Sequence, residues 1–279
     1  MLSEQDSQFT KLTGAKQTMS SWAEIIETFD ALPEVYKDSF RKIIPESFNF
    51  PYVVRTPSIS GLLGKRSTEK LLISNDEILY ILERDEHRIR SLGFPIKNVA
   101  YMEYGNILIY SWITIHGITL EGLPLAYTIE FNTSTARYIL PFIADIRQKT
   151  AVTQSSTEQA KLDALPAEAY KFRNFAYESL NHGEMVNICI WQPKIALPTA
   201  RIFHFPIKRL ILLDQLLILS DKELILIRDD PRSKVNRGAR YGGVWEYMPL
   251  KKITSVALKE NKQGLWKLTV ELAPHKPVD

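Results

Sequence analysis

Short apolar runs with a two-residue period fill most of the chain after residue 50. They are rich in β-branched and aromatic residues and are separated by Gly, Asn, Asp or Pro, which is typical of strands joined by tight turns. In the first half they read "PYVVRTPS", "EKLLIS", "EILYILER", "NVAYMEYG", "LIYSWITIHG" and "LAYTIEFN". Because these runs follow one another closely, they predict an antiparallel sheet built from hairpins.

Helical spacing occurs before and after these runs. The segment "SSWAEIIETFDALP" has Trp22, Ile25, Ile26 and Phe29 at three- and four-residue intervals, which predicts a helix. "LPEVYKDSFRKII" and "LPAEAYKFRNFAYESL" place Pro near a helix start and return aromatics to one face. "STARYILPFIADIRQKT" predicts a closing helix, with Pro141 kinking it or delaying its start. The predicted fold class is therefore mainly β with helices.

One stretch of the pattern is written twice. "LLISNDEILYILER" (Leu71–Arg84) and "LILSDKELILIRDD" (Leu217–Asp230) match at a shift of 146 residues, which places Ile81 opposite Ile227. Further matches keep the same order: "DALP" recurs, "FPIKNV" answers "MPLKKI", and Trp112 falls opposite Trp266. The ordered matches predict an internal duplication of a whole domain.

The duplication predicts a flexible N-terminus at 1–19, a helical lead-in with a first domain at 20–149, a linker at 150–160, and a helical lead-in with a second domain at 161–279. After Trp266 only "KLTVELAPHKPVD" follows, so the second domain is predicted to lack the last strand and the C-terminal helix of the first.

An incomplete second domain would leave a sheet edge and apolar residues uncovered. We expect cover from a helix around Trp22–Phe29, from the first domain, from a second copy of the chain, or from a further tail. The apolar richness of "WAEIIETF" favours the N-terminal helix.

The strand "EILYILER" is apolar on both faces. Alternation predicts that Leu79 and Ile81, with their copies Ile225 and Ile227, point into a core. The other face, which includes Tyr80 and Leu82, is then expected to be covered by the lead-in helices or by the other domain.

The strand pairs of both copies and the "HGEMV" segment resemble bacterial PH-like domains related to the GRAM group, over residues 46–148 and 184–272. The resemblance implies two tandem small antiparallel barrels, the first closed by a C-terminal helix. It also implies binding modules for lipids, peptides or partner proteins.

Composition and charge narrow the function classes. The chain has 35 basic and 32 acidic residues, so its net charge of +3 gives no support for a nucleic-acid partner. One cysteine, Cys189, excludes an internal disulfide framework and a multi-cysteine metal site. No segment approaches the ~20 apolar residues of a membrane helix, and the polar N-terminus does not read as a signal peptide. These features predict a cytoplasmic protein.

Candidate catalytic chemistry is sparse. "GLLGKRS" has Arg66 where a phosphate-binding loop requires Ser or Thr after the lysine, and it reads as a hairpin turn. The five histidines are scattered without metal-ligand spacing. We therefore predict no catalytic residue, no metal and no cofactor.

Basic clusters are the candidate binding residues. In the PH-like family, the connection between the first two strands often binds phosphorylated headgroups, and cations there can hold phosphate through charge-assisted hydrogen bonds. The alternative is a solvated hairpin tip. The residues at these two connections are Lys65, Arg66 and Lys70, and Arg201, Lys208 and Arg209. A third cluster, suited to an acidic partner or an anionic surface, comprises Arg232, Lys234, Arg237 and Arg240.

The leading hypothesis is a non-enzymatic binding or scaffold protein that recognises a protein or peptide partner. The second is a peripheral membrane module that binds anionic headgroups through the basic connections. The third is an enzyme, which a deep pocket gathering His116 or a shielded carboxylate would favour. Homodimerisation stays open at this level.

Overall fold

The computed structural model describes residues 22–44, 49–60, 66–75, 77–85, 88–147, 161–181, 183–202, 205–230, 242–261 and 264–273. Most of these residues lie in antiparallel strands, and a few helices accompany them. The predicted class, mainly β with helices, is confirmed.

The first half begins with a short strand and a helix and ends with a helix. Its elements are β1 (Glu24–Ile26), α1 (Glu34–Ile43), β2 (Tyr52–Thr56), β3 (Ile59–Ser60), β4 (Arg66–Ser67), β5 (Lys70–Ser74), β6 (Ile78–Asp85), β7 (Arg88–Pro95), β8 (Val99–Ile107), β9 (Tyr110–Ile118), β10 (Pro124–Asn132) and α2 (Ala136–Ile146).

The second half begins with a helix and ends, within the described residues, with a hairpin. Its elements are α3 (Tyr170–Ser179), β11 (Val186–Gln192), β12 (Ile195–Ile202), β13 (Phe205–Leu212), β14 (Gln215–Ser220), β15 (Glu223–Arg228), β16 (Gly242–Pro249), β17 (Ile253–Glu260) and β18 (Trp266–Leu272).

The two halves have the same strand order. In the first half β2, β5, β6 and β7 are neighbours in one sheet, and in the second half β11, β14, β15 and β16 are neighbours in the same sequence. A separate hairpin, β3–β4 or β12–β13, is inserted after the first of these strands. A 3-10 turn that follows Pro95 or Pro249 then leads into the next strand. This shared order is what a duplication predicts.

The register corrects the sequence alignment by one residue. The β5–β6 turn starts at Asn75, whose side-chain oxygen accepts the Ile78 N–H at 2.9 Å. The β14–β15 turn starts at Ser220, whose hydroxyl accepts the Glu223 N–H at 2.8 Å. Ser220 therefore occupies the place of Asn75 and not that of Ser74. A serine hydroxyl can replace the Asn75 side chain here, because both accept the N–H of the residue three positions later.

As a consequence, the copy of Ile81 is Leu226 and not Ile227. Ile81 pairs with Leu72 in the first half, and Leu226 pairs with Leu217 in the second. The prediction that these residues point into a core is confirmed, because one core cluster contains Leu79, Ile81, Ile225 and Ile227. Ile225 and Ile227, however, lie on the opposite face of their strand from Leu226.

The outer face of the first sheet is covered, as expected. Leu82 is fully buried and Tyr80 is half-buried. Both belong to a core cluster with Tyr36 and Phe40 of α1, so the lead-in helix supplies this cover.

The segment before α1 is a strand, and the prediction of a helix over "SSWAEIIETFDALP" is wrong. β1 pairs with β2, so that Glu24 faces Arg55 and Ile26 faces Val53. Ile25 and Ile26 are β-branched and favour extended backbone, and the turn that follows places Phe29 at a spacing that mimics a helix.

The halves are joined through one sheet. Its order is β10-β9-β8-β16-β15-β14-β11, so the first half's β8 pairs antiparallel with the second half's β16. The largest core cluster likewise contains residues of both halves, such as Met102 and Phe142 of the first and Ile218 and Trp245 of the second.

A buried ion pair reinforces this junction. Arg147, which follows α2, lies with its Nη2 2.9 Å from Glu223 Oε2 and 3.7 Å from Glu184 Oε2. Its guanidinium also stacks 3.9 Å from the Tyr247 ring centroid. Burial disfavours the charge of Arg147, but Tyr247 and the two carboxylates outweigh that effect and raise its pKa.

Candidate functional site

The predicted basic residues differ in how far they are exposed to solvent. Lys70 is 4% exposed, and its Nζ donates to the Thr68 carbonyl at 3.0 Å and lies 3.8 Å from Glu83 Oε1. Burial lowers the pKa of Lys70. Its ammonium is thus held inside the first half, which argues against contact with a headgroup.

The side chains of most of the other predicted cations lie outside the described residues. Arg209 is exposed on β13. The side chains of Arg66, Arg201 and Lys208 lie outside the described part of the chain, as does all of Lys65. The third cluster, Arg232, Lys234, Arg237 and Arg240, also lies outside the described residues.

A contiguous exposed apolar surface lies on the β17–β18 hairpin, which we call the open hairpin. Val256 pairs with Val270 and Leu258 pairs with Leu268 across it. The exposed fraction is 59% for Val256, 61% for Leu258, 62% for Trp266 and 38% for Leu268. Single exposed apolar residues are ordinary on protein surfaces, but a contiguous group marks an interaction surface.

The base of the open hairpin is anchored to the second half. Val270 and Leu272 are buried, and they share a core cluster with Leu224, Met248 and Ala100. The apolar face therefore begins under the second half's first sheet and continues beyond it into solvent.

The first half shows how the equivalent surface is covered. The β8–β9 hairpin has the same pairing, and each hairpin has a register irregularity at the same place, near Val99 and near Ile253. Its Met102–Ile115 pair corresponds to Val256–Val270, and both Met102 and Ile115 are at most 1% exposed. In the first half these positions share one core with the apolar residues of β10 and α2, which include Phe131, Ile139, Phe142 and Ile143.

Strand pairing also corrects the match of the two tryptophans. Trp266 pairs with Glu260, and the residues at those places in the first half are Ser111 and Asn106. Trp266 is therefore the counterpart of Ser111, and Lys267 is the counterpart of Trp112.

Charge around the open hairpin is mostly positive. Lys259 and Lys267 are paired across the strands on the polar face, and Lys251 and Lys252 precede β17. Glu260 and Glu271 are the acidic residues of the two strands. An acidic or anionic partner suits this balance.

The prediction that a helix at Trp22–Phe29 covers this surface is wrong, because that segment contains the strand β1. That segment pairs with β2 in the first sheet, and the Ala23 N–H donates to the Thr135 hydroxyl at 3.3 Å. Within the described residues, no strand follows β18 in its sheet.

A groove lies where the two halves meet. A groove of about 400 Å³ on the seven-stranded sheet is lined by Glu103, Trp112 and Arg228, among others. Trp112 Nε1 donates to Glu103 at 2.7 Å, and Arg228 bridges Glu103 at 3.0 Å and Glu246 at 2.6 Å. These polar groups bind one another across the β8–β16 junction, so the arrangement reads as structural.

Features that would favour catalysis are not gathered at this groove. His116 stacks on Tyr101, with ring centroids 3.9 Å apart, and does not line the groove. Burial raises the pKa of Tyr101 to about 12. Among the residues that the structure describes, no three His, Cys, Asp or Glu side chains converge as metal ligands.

No helix in the described part of the chain is long and apolar enough to span a membrane. Comparisons with protein-family models, with curated proteins and with solved structures find no match for this chain.

Proposed function

We propose that this chain is a non-enzymatic binding protein with two PH-like halves, and that it docks a protein or peptide partner on the open hairpin. The observation that carries the proposal is the contrast between Val256, which is 59% exposed, and its counterpart Met102, which is 1% exposed. The same sheet position is thus covered in one half and offered to solvent in the other.

The first half indicates the chemistry of the partner. There the equivalent positions share a core with α2, whose apolar residues Ile139, Phe142 and Ile143 are buried. An amphipathic helix is a common ligand for an apolar groove. The lysines of the open hairpin favour acidic residues beside the apolar face of that helix.

A peptide with the sequence of residues 133–147 is the defined probe, because it contains α2. Fluorescence anisotropy should detect its binding to the wild-type protein, and Val256→Ser with Leu258→Ser should weaken it about tenfold or more, since two apolar contacts are lost. Ile109→Ser is the matched control, because Ile109 is 76% exposed on the first half's β8–β9 turn. Equal binding by all three proteins would contradict the proposal.

An anionic membrane surface is the alternative occupant. Lys259 and Lys267 lie on the same hairpin as the exposed Trp266, a combination that also suits an interface with anionic lipid. Sedimentation with phosphatidylglycerol vesicles separates the readings. Salt-sensitive binding that Val256→Ser with Leu258→Ser removes would replace the protein partner with a membrane. Loss on Lys65→Ala with Arg209→Ala would instead support headgroup binding by the basic connections.

A further inference from the structure

The sequence of β10 recurs in β18. β10 contains Thr128-Ile129-Glu130-Phe131, and β18 contains Thr269-Val270-Glu271-Leu272. Both strands keep Thr and Glu on one face and apolar residues on the other. β18 is thus the counterpart of β9 by its position in the hairpin, but its side-chain pattern is that of β10.

The pairing of β10 with β9 shows what a strand beside β18 would meet. Thr128 lies opposite Thr114, and their hydroxyls are 2.9 Å apart. Thr114 pairs with Glu103 on its other side, and Thr269 pairs with Ala257 at the same place in the open hairpin. A strand that took the place of β10 would therefore set its own threonine opposite Thr269.

We propose that a second copy of the chain supplies this strand, through antiparallel β18–β18 pairing about a twofold axis at Thr269. The register places Thr269 opposite Thr269 of the second copy. It places Lys267 opposite Glu271 twice, and Leu268 opposite Val270 twice. Trp266 then lies beside Leu272 of the second copy, where Phe131 lies beside Ser111 in the first half.

Charge selects a second copy over an unrelated strand. Within its own hairpin Lys267 lies opposite Lys259, which makes this part of the polar face basic. Glu271 of the second copy would lie on the other side of Lys267, where Glu130 lies beside Trp112 in the first half. The polar face of β18 is thus complementary to itself, which an isologous twofold interface requires.

The edge of β18 is also suited to strand addition. In the described part of the chain β18 pairs with β17 alone, and it contains no proline. Its pairing with β17 is regular from Ser255 to Glu260. An edge of this kind is a template for another strand. The proposed dimer uses this edge, whereas the proposed partner uses the face that carries Val256 and Leu258, so each can fail without the other.

Charge exchange tests the register, with sedimentation equilibrium of the full chain as the readout. We expect a wild-type dimer. Lys267→Glu alone, or Glu271→Lys alone, should weaken dimerisation about tenfold or more, because each creates two like-charge pairs. The double variant Lys267→Glu with Glu271→Lys should restore it. Lys42→Glu is the control, because Lys42 is exposed on α1 and takes no part in the proposed pairing, and it should leave the dimer intact.

Cysteine cross-linking gives a readout that does not depend on charge. Directly opposed residues of paired strands are close enough for a disulfide, so Thr269→Cys should form an interchain disulfide under mild oxidation. Ala257→Cys, one strand away, should not, and Cys189 is present in both proteins. A monomer at all concentrations, or a dimer that neither charge variant weakens and Thr269→Cys does not link, would overturn the proposal. Circular dichroism checks that each variant is folded.

Discussion

The β8–β9 and β17–β18 hairpins have the same pairing and opposite surroundings. In the first, Met102 and Ile113 lie in a core that β10 and α2 complete. In the second, the corresponding Val256 and Leu268 are exposed, and the nearest cover ends at Val270 and Leu272. Apolar alternation is therefore kept in both hairpins although only one of them is buried. Among the described residues the second hairpin thus keeps an apolar face that they leave exposed, and this difference is the basis of the partner proposed above.

The largest expected effect concerns the residue that fixes α2 in place. Arg147→Ala should lower the free energy of unfolding by about 3–5 kcal/mol, because it leaves Glu184 and Glu223 buried without their cation. Urea denaturation measures the loss. Asp38→Ala is the control, since the exposed Asp38–Arg41 pair spans 3.6 Å and should contribute little. Equal costs at the two sites would show that the Arg147 cluster does not hold the halves together.

The next prediction tests the difference in burial directly. Met102→Ala should destabilise the protein by about 2–5 kcal/mol, because it opens a cavity in the core. Val256→Ala, at the corresponding position, should change stability by less than about 0.5 kcal/mol. Both values come from urea denaturation of the isolated protein. A large cost at Val256 would mean that the open hairpin is already covered in solution.

Much of this contrast could be predicted from sequence, but its geometry could not. The hydrophobic alternation predicts many of the strands, and the short run after Trp266 predicts uncovered apolar residues. Alternation does not say which strands become neighbours, so it does not predict the β8–β16 junction. The shared Ser74 and Ser220 favoured an alignment that is one residue out, because a serine can serve either as a strand end or as a turn acceptor.

Lys70 shows the same limit at the level of a single residue. A lysine at a strand start in a basic segment reads as solvated. The Thr68 carbonyl and the cross-strand position of Glu83 explain how its ammonium can be buried. The open hairpin itself could have been read as a binding surface from "VALKE" and "WKLTVEL", whose apolar positions alternate regularly. The pattern alone does not show that the described elements of the second half leave that face exposed.

A smaller loss of stability is expected at Gly105, a position where the two hairpins carry very different residues. Gly105 lies under the Trp112 indole, and a Cβ at that glycine would be 2.1 Å from the ring. Lys259 occupies the corresponding place in the open hairpin, where Lys267 replaces the tryptophan. Gly105→Ala should therefore cost about 1–3 kcal/mol through overpacking.

The control for this prediction is a double-mutant cycle. In a Trp112→Ala background the Gly105→Ala change should cost much less, because the ring that it would strike is gone. Thermal and urea unfolding of the four proteins give the coupling. Additive costs would show that the indole does not require glycine at this position.

The smallest effect distinguishes the first strands of the two sheets. Val53 on β2 is fully buried, whereas Cys189 takes the corresponding place on β11 and is half-buried at a sheet edge. Burial raises the pKa of the Cys189 thiol from 9.0 to about 11. Since the thiolate is the nucleophile, alkylation by iodoacetamide at pH 8 should be about a hundredfold slower than for a thiol with the ordinary pKa, and its rate should rise with pH until about pH 11.

The raised pKa of Cys189 also makes the free energy of unfolding depend on pH. The contribution of the neutral thiol is present below pH 9.0 and is lost as the pH rises towards 11. Cys189→Val should remove that part of the alkaline loss, and a fast alkylation rate at pH 8 would show that β11 is not packed as the structure describes.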